Sequence, residues 1–98
     1  MNRKEVCESF AAQCPARGKA SSMYYDGPVA YSYGEHFPLA IITTKPGAVN
    51  AATFNADRYS PTTSRHQSTM RAALRERGYV ITEADTATMK ALAREVRK

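Results

Sequence analysis

The chain has 98 residues, of which 43% are hydrophobic and 23% charged, and its formal net charge at pH 7 is +5. Because compact domains typically hold roughly 100 residues, this length predicts a single domain spanning residues 1–98. The apolar content excludes global disorder, and no stretch approaches the ~18 apolar residues of a membrane span. The charged N-terminus lacks the apolar core of a secretion signal, so we expect a cytoplasmic protein.

The first segment, from Asn2 to about Cys14, is typical of a short helix. Asn2 with Glu5 three residues later forms a capping-box pattern, and Val6, Phe10 and Cys14 recur at helical spacing.

The two cysteines, Cys7 and Cys14, would lie about 10 Å apart along such a helix. A disulfide needs Cα atoms within roughly 7 Å. We therefore expect two half-buried thiols in a reducing cytosol. No second Cys/His pair stands at zinc spacing and no glycine-rich phosphate loop is present, so the sequence predicts neither a metal nor a cofactor.

The middle of the chain is predicted to be a β-meander. Turn signals at Asp26-Gly27, Gly34 and Pro46-Gly47 separate the strands. The run from Leu39 to Ile42 is apolar on both faces, which is typical of a central strand, and a fourth strand is predicted from about Ala48 to Phe54. The alternating apolar residues of the first three strands are Met23, Tyr25, Val29, Tyr31, Tyr33, Phe37, Leu39 and Ile41.

After Asp57 the apolar period changes to that of a helix. A short extended piece, from Tyr79 to Ile81, separates two predicted helices, of which the second starts near Thr82 and Asp85. The first helix turns one side inward, namely His66, Met70, Ala73 and Leu74. The second does so with Met89, Leu92, Ala93 and Val96. The predicted class is α+β: a three- to four-stranded antiparallel meander, a short N-terminal helix, and two C-terminal helices packed on one sheet face.

The stretch YSPTTSRHQ, residues 59–67, contains two competing helix starts. Ser60 can cap a helix that has Pro61 in its first position. Alternatively, Ser64 with Gln67 three residues later forms a capping box. Capping accounts for Ser60 or Ser64 but not for Thr62 and Thr63 as well.

The net charge lies entirely in the second part of the chain. Residues 1–57 carry five Lys/Arg and five Asp/Glu, whereas residues 58–98 carry nine and four. Such a basic segment is typical of an acidic partner, nucleic acid first. Free N–H groups at a helix start, hydroxyls and arginines favour phosphate binding. The predicted binding residues are Arg58, Thr62, Thr63, Ser64, Arg65, Ser68, Arg71 and Arg75. The alternative is a capped helix whose charges serve solubility.

Two further interpretations concern aromatic rings and histidines. Tyr24, opposite in parity to its neighbour, is the candidate for stacking on a nucleic-acid base, whereas Tyr31 and Tyr33 share a parity that predicts the core. A pair of His36 and His66 would allow RNA cleavage if the two rings met. A hydrogen-bonded core histidine is the preferred interpretation of His66, so we predict no catalytic residue.

The chain resembles a small uncharacterised domain of bacteriophage and plasmid genes over roughly residues 23–75. That domain has a strand ending in YSY-G and later N-x-x-x-YS-x-TTS-[KR]-H-Q before a helix. The matching residues here are Tyr31, Ser32, Tyr33, Gly34, Asn55, Tyr59, Ser60, Thr62, Thr63, Ser64, Arg65, His66 and Gln67.

This resemblance implies a mobile-element context inside a host cell. It favours a non-enzymatic inhibitor of a host defence system, similar to anti-CRISPR proteins, that binds nucleic acid or a nucleoprotein complex such as a CRISPR effector. The alternatives are a protein–protein interaction module that uses the sheet face, or a small RNA-cleaving enzyme. The sequence leaves the oligomeric state open.

Overall fold

A computed structural model describes residues 2–20, 22–33, 37–44, 50–58 and 61–96, and these form three helices and a six-stranded sheet. The α+β class predicted from the sequence is confirmed. The helices are α1 (Arg3–Ala12), α2 (Pro61–Glu76) and α3 (Thr86–Val96). The strands are β1 (Arg17–Ala20), β2 (Met23–Asp26), β3 (Val29–Ser32), β4 (Pro38–Ile42), β5 (Ala51–Asn55) and β6 (Val80–Ala84).

The six strands lie side by side in sequence order, and β1 to β5 form an antiparallel meander. β6 instead runs parallel to β5, and α2 supplies the crossover that a parallel neighbour requires. The predicted antiparallel meander is confirmed in β2 to β5, but three or four strands understate a sheet that has six strands and one parallel pair. The prediction omits β1, which has little apolar pattern, and it treats β6 as a short isolated piece.

Each face of the sheet is covered by different helices. The first cluster joins α1 and α2 to one face, and its largest members include Phe10, Tyr25, Phe54, Met70 and Leu74. The second joins α3 to the other face through Val29, Tyr31, Ile41, Met89 and Ala93. The prediction that both C-terminal helices share a face is wrong, because the apolar side chains of β3 and β4 alternate and leave a second face for α3 to cover.

The predicted central strand is confirmed in β4, where Leu39, Ala40 and Ile41 are fully buried. The β3–β4 register shifts between Ala30 and Tyr31, so β4 has one residue more than β3 at this point. Leu39 and Ala40 consequently both contribute to the first cluster, while Ile41 belongs to the second. The shift is a β-bulge that lets one strand serve two cores.

The first helix begins as its capping box predicts. Asn2 Oδ1 accepts from the Glu5 N–H at 2.8 Å, and Glu5 Oε1 accepts from the Asn2 N–H at 3.1 Å. The helix ends at Ala12 rather than near Cys14, and this displaces the cysteines from their predicted places. Cys7 is fully buried and Cys14 is exposed, so neither is half-buried; burial raises the pKa of the Cys7 thiol to about 12.

The ends of α2 also follow local chemistry. The helix starts at Pro61, which favours the first of the two predicted starts, although Ser60 itself lies outside the described residues. At the other end Gly78 has a φ of 78°, and its N–H lies 3.0 Å from the Arg75 carbonyl oxygen. The Tyr79 N–H donates to the Leu74 carbonyl at 3.0 Å, which completes a Schellman cap.

The third helix starts at Thr86, directly after the predicted Asp85, while the predicted Thr82 lies in β6. The Asp85 carboxylate accepts from the Thr88 N–H at 2.8 Å, and the Asp57 carboxylate accepts from the Thr86 N–H at 2.7 Å. Of the predicted turns, the Asp26-Gly27 signal is confirmed, because β2 and β3 pair on either side of it. The turns at Gly34 and Pro46-Gly47 lie outside the described residues, as does Ala48.

The separation of the two clusters predicts independent contributions to stability. Met70→Ala and Met89→Ala each remove a fully buried side chain, and each should lower the free energy of unfolding by about 2–5 kcal/mol. Because the sheet lies between the two sites, the double variant should lose the sum of both to within about 0.5 kcal/mol in urea unfolding. A coupling several times larger would place both methionines in one core.

Candidate nucleic-acid interface

The segment between β5 and α2 is held by two amides. Asn55 is fully buried; its Nδ2 donates to the Pro38 carbonyl at 2.9 Å and its Oδ1 accepts from the Asp57 N–H at 2.9 Å. Gln67 Nε2 donates to the carbonyls of Asn55 at 2.8 Å and Asp57 at 2.9 Å. These bonds fix how the chain enters α2 and orient its first turns.

A buried polar cluster fixes the same helix against β3. Ser32 Oγ lies 2.8 Å from His66 Nδ1 and 3.1 Å from Thr63 Oγ1. All three residues are buried, with Thr63 at 0% exposure. The prediction that Thr63 contacts a ligand is contradicted, because its hydroxyl is turned into the protein. The preferred interpretation of His66 as a hydrogen-bonded core residue is confirmed.

Tyr33 departs from its predicted position in the core. Its side chain is 45% exposed and its φ is 68°. Strand β3 ends at Ser32, so the alternation that predicted burial stops one residue earlier. The Tyr33 ring centroid lies 6.0 Å from that of His66. The left-handed conformation is costly for a bulky residue, and here it places an aromatic ring over the buried cluster.

Arg71, one of the predicted binding residues, is engaged within the protein. Its Nη2 lies 2.9 Å from Glu83 Oε2, and its guanidinium carbon lies 4.7 Å from the centre of the Phe54 ring. Phe54 and Glu83 are partners in the parallel register, so both lie on the sheet face beneath α2. The positive charge of Arg71 is therefore matched locally.

A groove of about 280 Å³ lies between α2 and the sheet, but its polar groups are largely committed. The Ser68 hydroxyl donates to the Ser64 carbonyl at 3.1 Å, and Gln67 and Arg71 make the bonds given above. The groove is lined by Phe54, Ala56, Ser64, Gln67, Ser68, Arg71 and Glu83. It contains three predicted binding residues, yet it offers a phosphate few unused donors.

Helix α1 lies beside α2 and runs in the same direction. The N-terminal end of α1 lies beside the middle of α2, where Lys4 and Thr69 border one groove of about 420 Å³. Further along, Glu8 and Glu76 border a second groove, which Lys4 and Thr69 also line. The Tyr79 hydroxyl, just past the end of α2, donates to the carbonyl of Ala11 in the last turn of α1 at 2.7 Å. Parallel packing points the positive ends of the two helix dipoles in the same direction.

This packing gathers cations that are distant in sequence. Arg3 and Lys4 line the first groove together with Asn2 and Thr69. Arg65 stands one turn before Thr69, whose hydroxyl donates to the Arg65 carbonyl at 3.0 Å. We call the exposed residues Arg3, Lys4 and Arg65 the two-helix basic surface.

No salt bridge among the described residues involves the two-helix basic surface, although Glu8 and Glu76 line a groove together with Lys4. Among the described residues the ion pairs are Arg17–Asp26 and Arg71–Glu83, and neither involves this surface. Glu5 is engaged in the α1 cap. Arg58 is also exposed, in the segment before α2, while Thr62 is half-buried in the first turn.

Arg65 and Arg75 were predicted from the sequence as binding residues, whereas Arg3 and Lys4 were not. They belong to the part of the chain with no net charge, and only the contact between α1 and α2 joins them to the arginines of α2. The available signal was the pair of adjacent cations in the first turn of a capped helix.

Tyr24 lies apart from this surface. Its half-buried ring stacks on Tyr31 with centroids 5.1 Å apart, on the sheet face that α3 covers in part. An open groove of about 470 Å³ beside it is lined by residues of the first two strands, including Arg17 and Lys19. The structure therefore does not bring the predicted stacking tyrosine together with the predicted phosphate ligands.

The remaining predictions from the sequence concern catalysis and metal binding. His36 and Tyr59 lie outside the described residues, and the ring of His66 is buried, so the proposed histidine pair stays a prediction. In the described ranges, no three side chains of His, Cys, Asp or Glu gather as metal ligands. No helix there is long and apolar enough to cross a membrane. Comparison of the chain with protein-family models, curated proteins and solved structures finds no match.

The buried His66 predicts a loss of stability in acid. Desolvation, with a smaller contribution from the Arg3 charge, lowers the pKa of His66 below its ordinary value of about 6.5. The folded chain prefers the neutral ring. The contribution of His66 to the free energy of unfolding is therefore fully present above about pH 6.5 and declines as the pH falls through this value. Urea unfolding at a series of pH values should show this decline in the natural chain.

His66→Gln is the matched control, since an amide can still bond to Ser32 but does not titrate. It should be less stable at neutral pH yet decline less steeply between about pH 7 and pH 5. Equal slopes for the two proteins would mean that His66 binds its proton equally well in the folded and unfolded chains, against the lowered pKa.

Proposed function

We propose that this protein binds the phosphate backbone of nucleic acid through the two-helix basic surface. The observation that carries the proposal is that Arg3 and Lys4 of α1 line one groove with Thr69 of α2, one turn after the exposed Arg65, and that no salt bridge among the described residues involves these three cations. Unmatched cations at adjacent positions are what a polyanion requires, because each phosphate contact releases condensed counterions.

The geometry of the helices supports the same polarity. Each helix start is equivalent to about half a positive charge, and the two helices point these ends in the same direction, with the start of α1 beside the middle of α2. Arg58 is exposed in the segment that leads to α2, and Arg75 is exposed in the last turn of that helix. Arg71 contributes to affinity only indirectly in this proposal, since Glu83 and Phe54 hold it.

The biological setting is a narrower part of the proposal. A chain of 98 residues with such a surface suits an inhibitor that occupies the nucleic-acid channel of a host nucleoprotein complex, in the manner of anti-CRISPR proteins. The resemblance to a bacteriophage and plasmid domain favours this setting. The target nucleic acid would then be guide or substrate strands held by the host complex.

The competing protein–protein module has less free surface than the sequence predicted. Helices cover both faces of the sheet, α1 and α2 on one side and α3 over β4 and β5 on the other. On the face that α3 covers in part, an uncovered area of the sheet lies at β1 and β2, beside Tyr24.

Phosphate binding predicts a specific response to salt. Binding of fluorescent single- and double-stranded oligonucleotides, followed by anisotropy from about 50 to 200 mM salt, should weaken steeply as salt rises. Arg65→Ala should lower affinity and reduce the slope of log K against log salt by about one unit. Lys90→Ala, which removes an exposed cation from α3 on the other side of the sheet, should leave both unchanged.

Circular dichroism would first establish that each variant keeps the fold. Affinity that does not change with salt would reject phosphate contact. Equal losses for Arg65→Ala and Lys90→Ala would show that net charge, rather than the two-helix basic surface, determines binding.

A further inference from the structure

The outer edge of β6 is an open strand edge with unused backbone hydrogen-bonding groups. The Val80 N–H donates to the Asn50 carbonyl at 2.8 Å, and the Ala84 carbonyl accepts from the Ala56 N–H at 2.9 Å. Successive residues of a strand point their backbone groups to opposite sides. Ile81 and Glu83 therefore present their N–H and C=O groups away from β5, where no described strand lies.

The two ends of the sheet differ in how they resist pairing. At one end β1 has four residues, includes Gly18, and carries the exposed cations Arg17 and Lys19, all features that discourage strand addition. At the other end β6 has five residues and contains neither proline, glycine nor lysine. Its first residue, Val80, is 56% exposed, which makes it one of the two exposed large hydrophobic residues in the described ranges.

The charges at the two ends of β6 are complementary to those of a second copy of the strand that runs in the opposite direction. Arg77 precedes the strand, and Asp85 and Glu83, the latter already paired with Arg71, stand at its end. An antiparallel copy places the basic end of each strand beside the acidic end of the other. This arrangement is isologous, since one patch serves both chains.

We propose that two copies of this chain associate by antiparallel pairing of β6 with β6 around a twofold axis at Thr82. Ile81 of one copy then lies opposite Glu83 of the other, and their outward backbone groups form four hydrogen bonds. Thr82 lies opposite itself, and Val80 is covered by Ala84 of the second copy. The two sheets become one continuous sheet of twelve strands.

The surface buried by one strand pair is small, so association is reversible and depends on concentration. It leaves the two-helix basic surface accessible, because that surface lies on α1 and α2 rather than on the sheet edge. The inference is thus independent of nucleic-acid binding.

Sedimentation velocity of the full chain over a range of concentrations tests the association. Glu83→Pro should abolish it, because the Glu83 N–H points outward and its loss breaks the new pairing without breaking the β5–β6 ladder. Glu83→Gln also removes the charge next to Arg71 but keeps the N–H, and it should still self-associate. Val80→Lys places a charge at the exposed edge and should be monomeric, whereas Val80→Thr should dimerise.

A cross-link tests the register. Opposed side chains in a non-hydrogen-bonded pair have Cβ atoms about 4.5–5.5 Å apart, close to disulfide distance. In a Cys14→Ser background, Thr82→Cys should form a covalent dimer under mild oxidation, and Ala87→Cys, at an exposed position of α3, should not. A natural chain that stays monomeric at every concentration, or a Glu83→Pro variant that dimerises like the natural chain, would overturn the inference.

Discussion

The structure depends on how α2 is held across the sheet. A parallel neighbour for β5 can be reached only by a crossover, so α2 must lie over one face between β5 and β6. The bond between His66 and Ser32 then fixes the helix against β3, two strands away from β5. With Met70 and Leu74 fully buried beneath it, the rotation of the helix is determined as well. Arg65 and Arg75 face outward as a direct result.

The residues that carry the resemblance mostly make internal contacts. Ser32, Thr63 and His66 form the buried cluster, and Asn55 and Gln67 hold the entry to α2. A motif of this kind specifies how the chain folds. Each of its buried polar groups forms a hydrogen bond with another, and burial without such a partner would cost free energy. Of the two-helix basic surface only Arg65 belongs to this motif, and it is exposed.

Local sequence patterns predicted most of the helices and strands. They did not predict which residues distant in sequence come into contact. Alternation and helical period found β2 to β4 and the buried sides of α2 and α3, because one face of each element is buried. No local signal tells whether β6 is parallel or antiparallel to its neighbour. Arg71 looks like any exposed arginine until Phe54 and Glu83 are brought beneath it. The alternation rule failed at Tyr33 because the strand had already ended.

The late position of β6 in the chain affects how the protein is made. The ribosome releases the meander first. Until β6 is made, β5 has no strand beside its outer edge, and it carries Ala52 and Phe54, both buried in the finished sheet. Closure requires the 24 residues from Ala56 to Tyr79 to emerge and coil before Val80 can pair. A nascent chain stalled within α2 would expose this edge to proteases and to neighbouring strands.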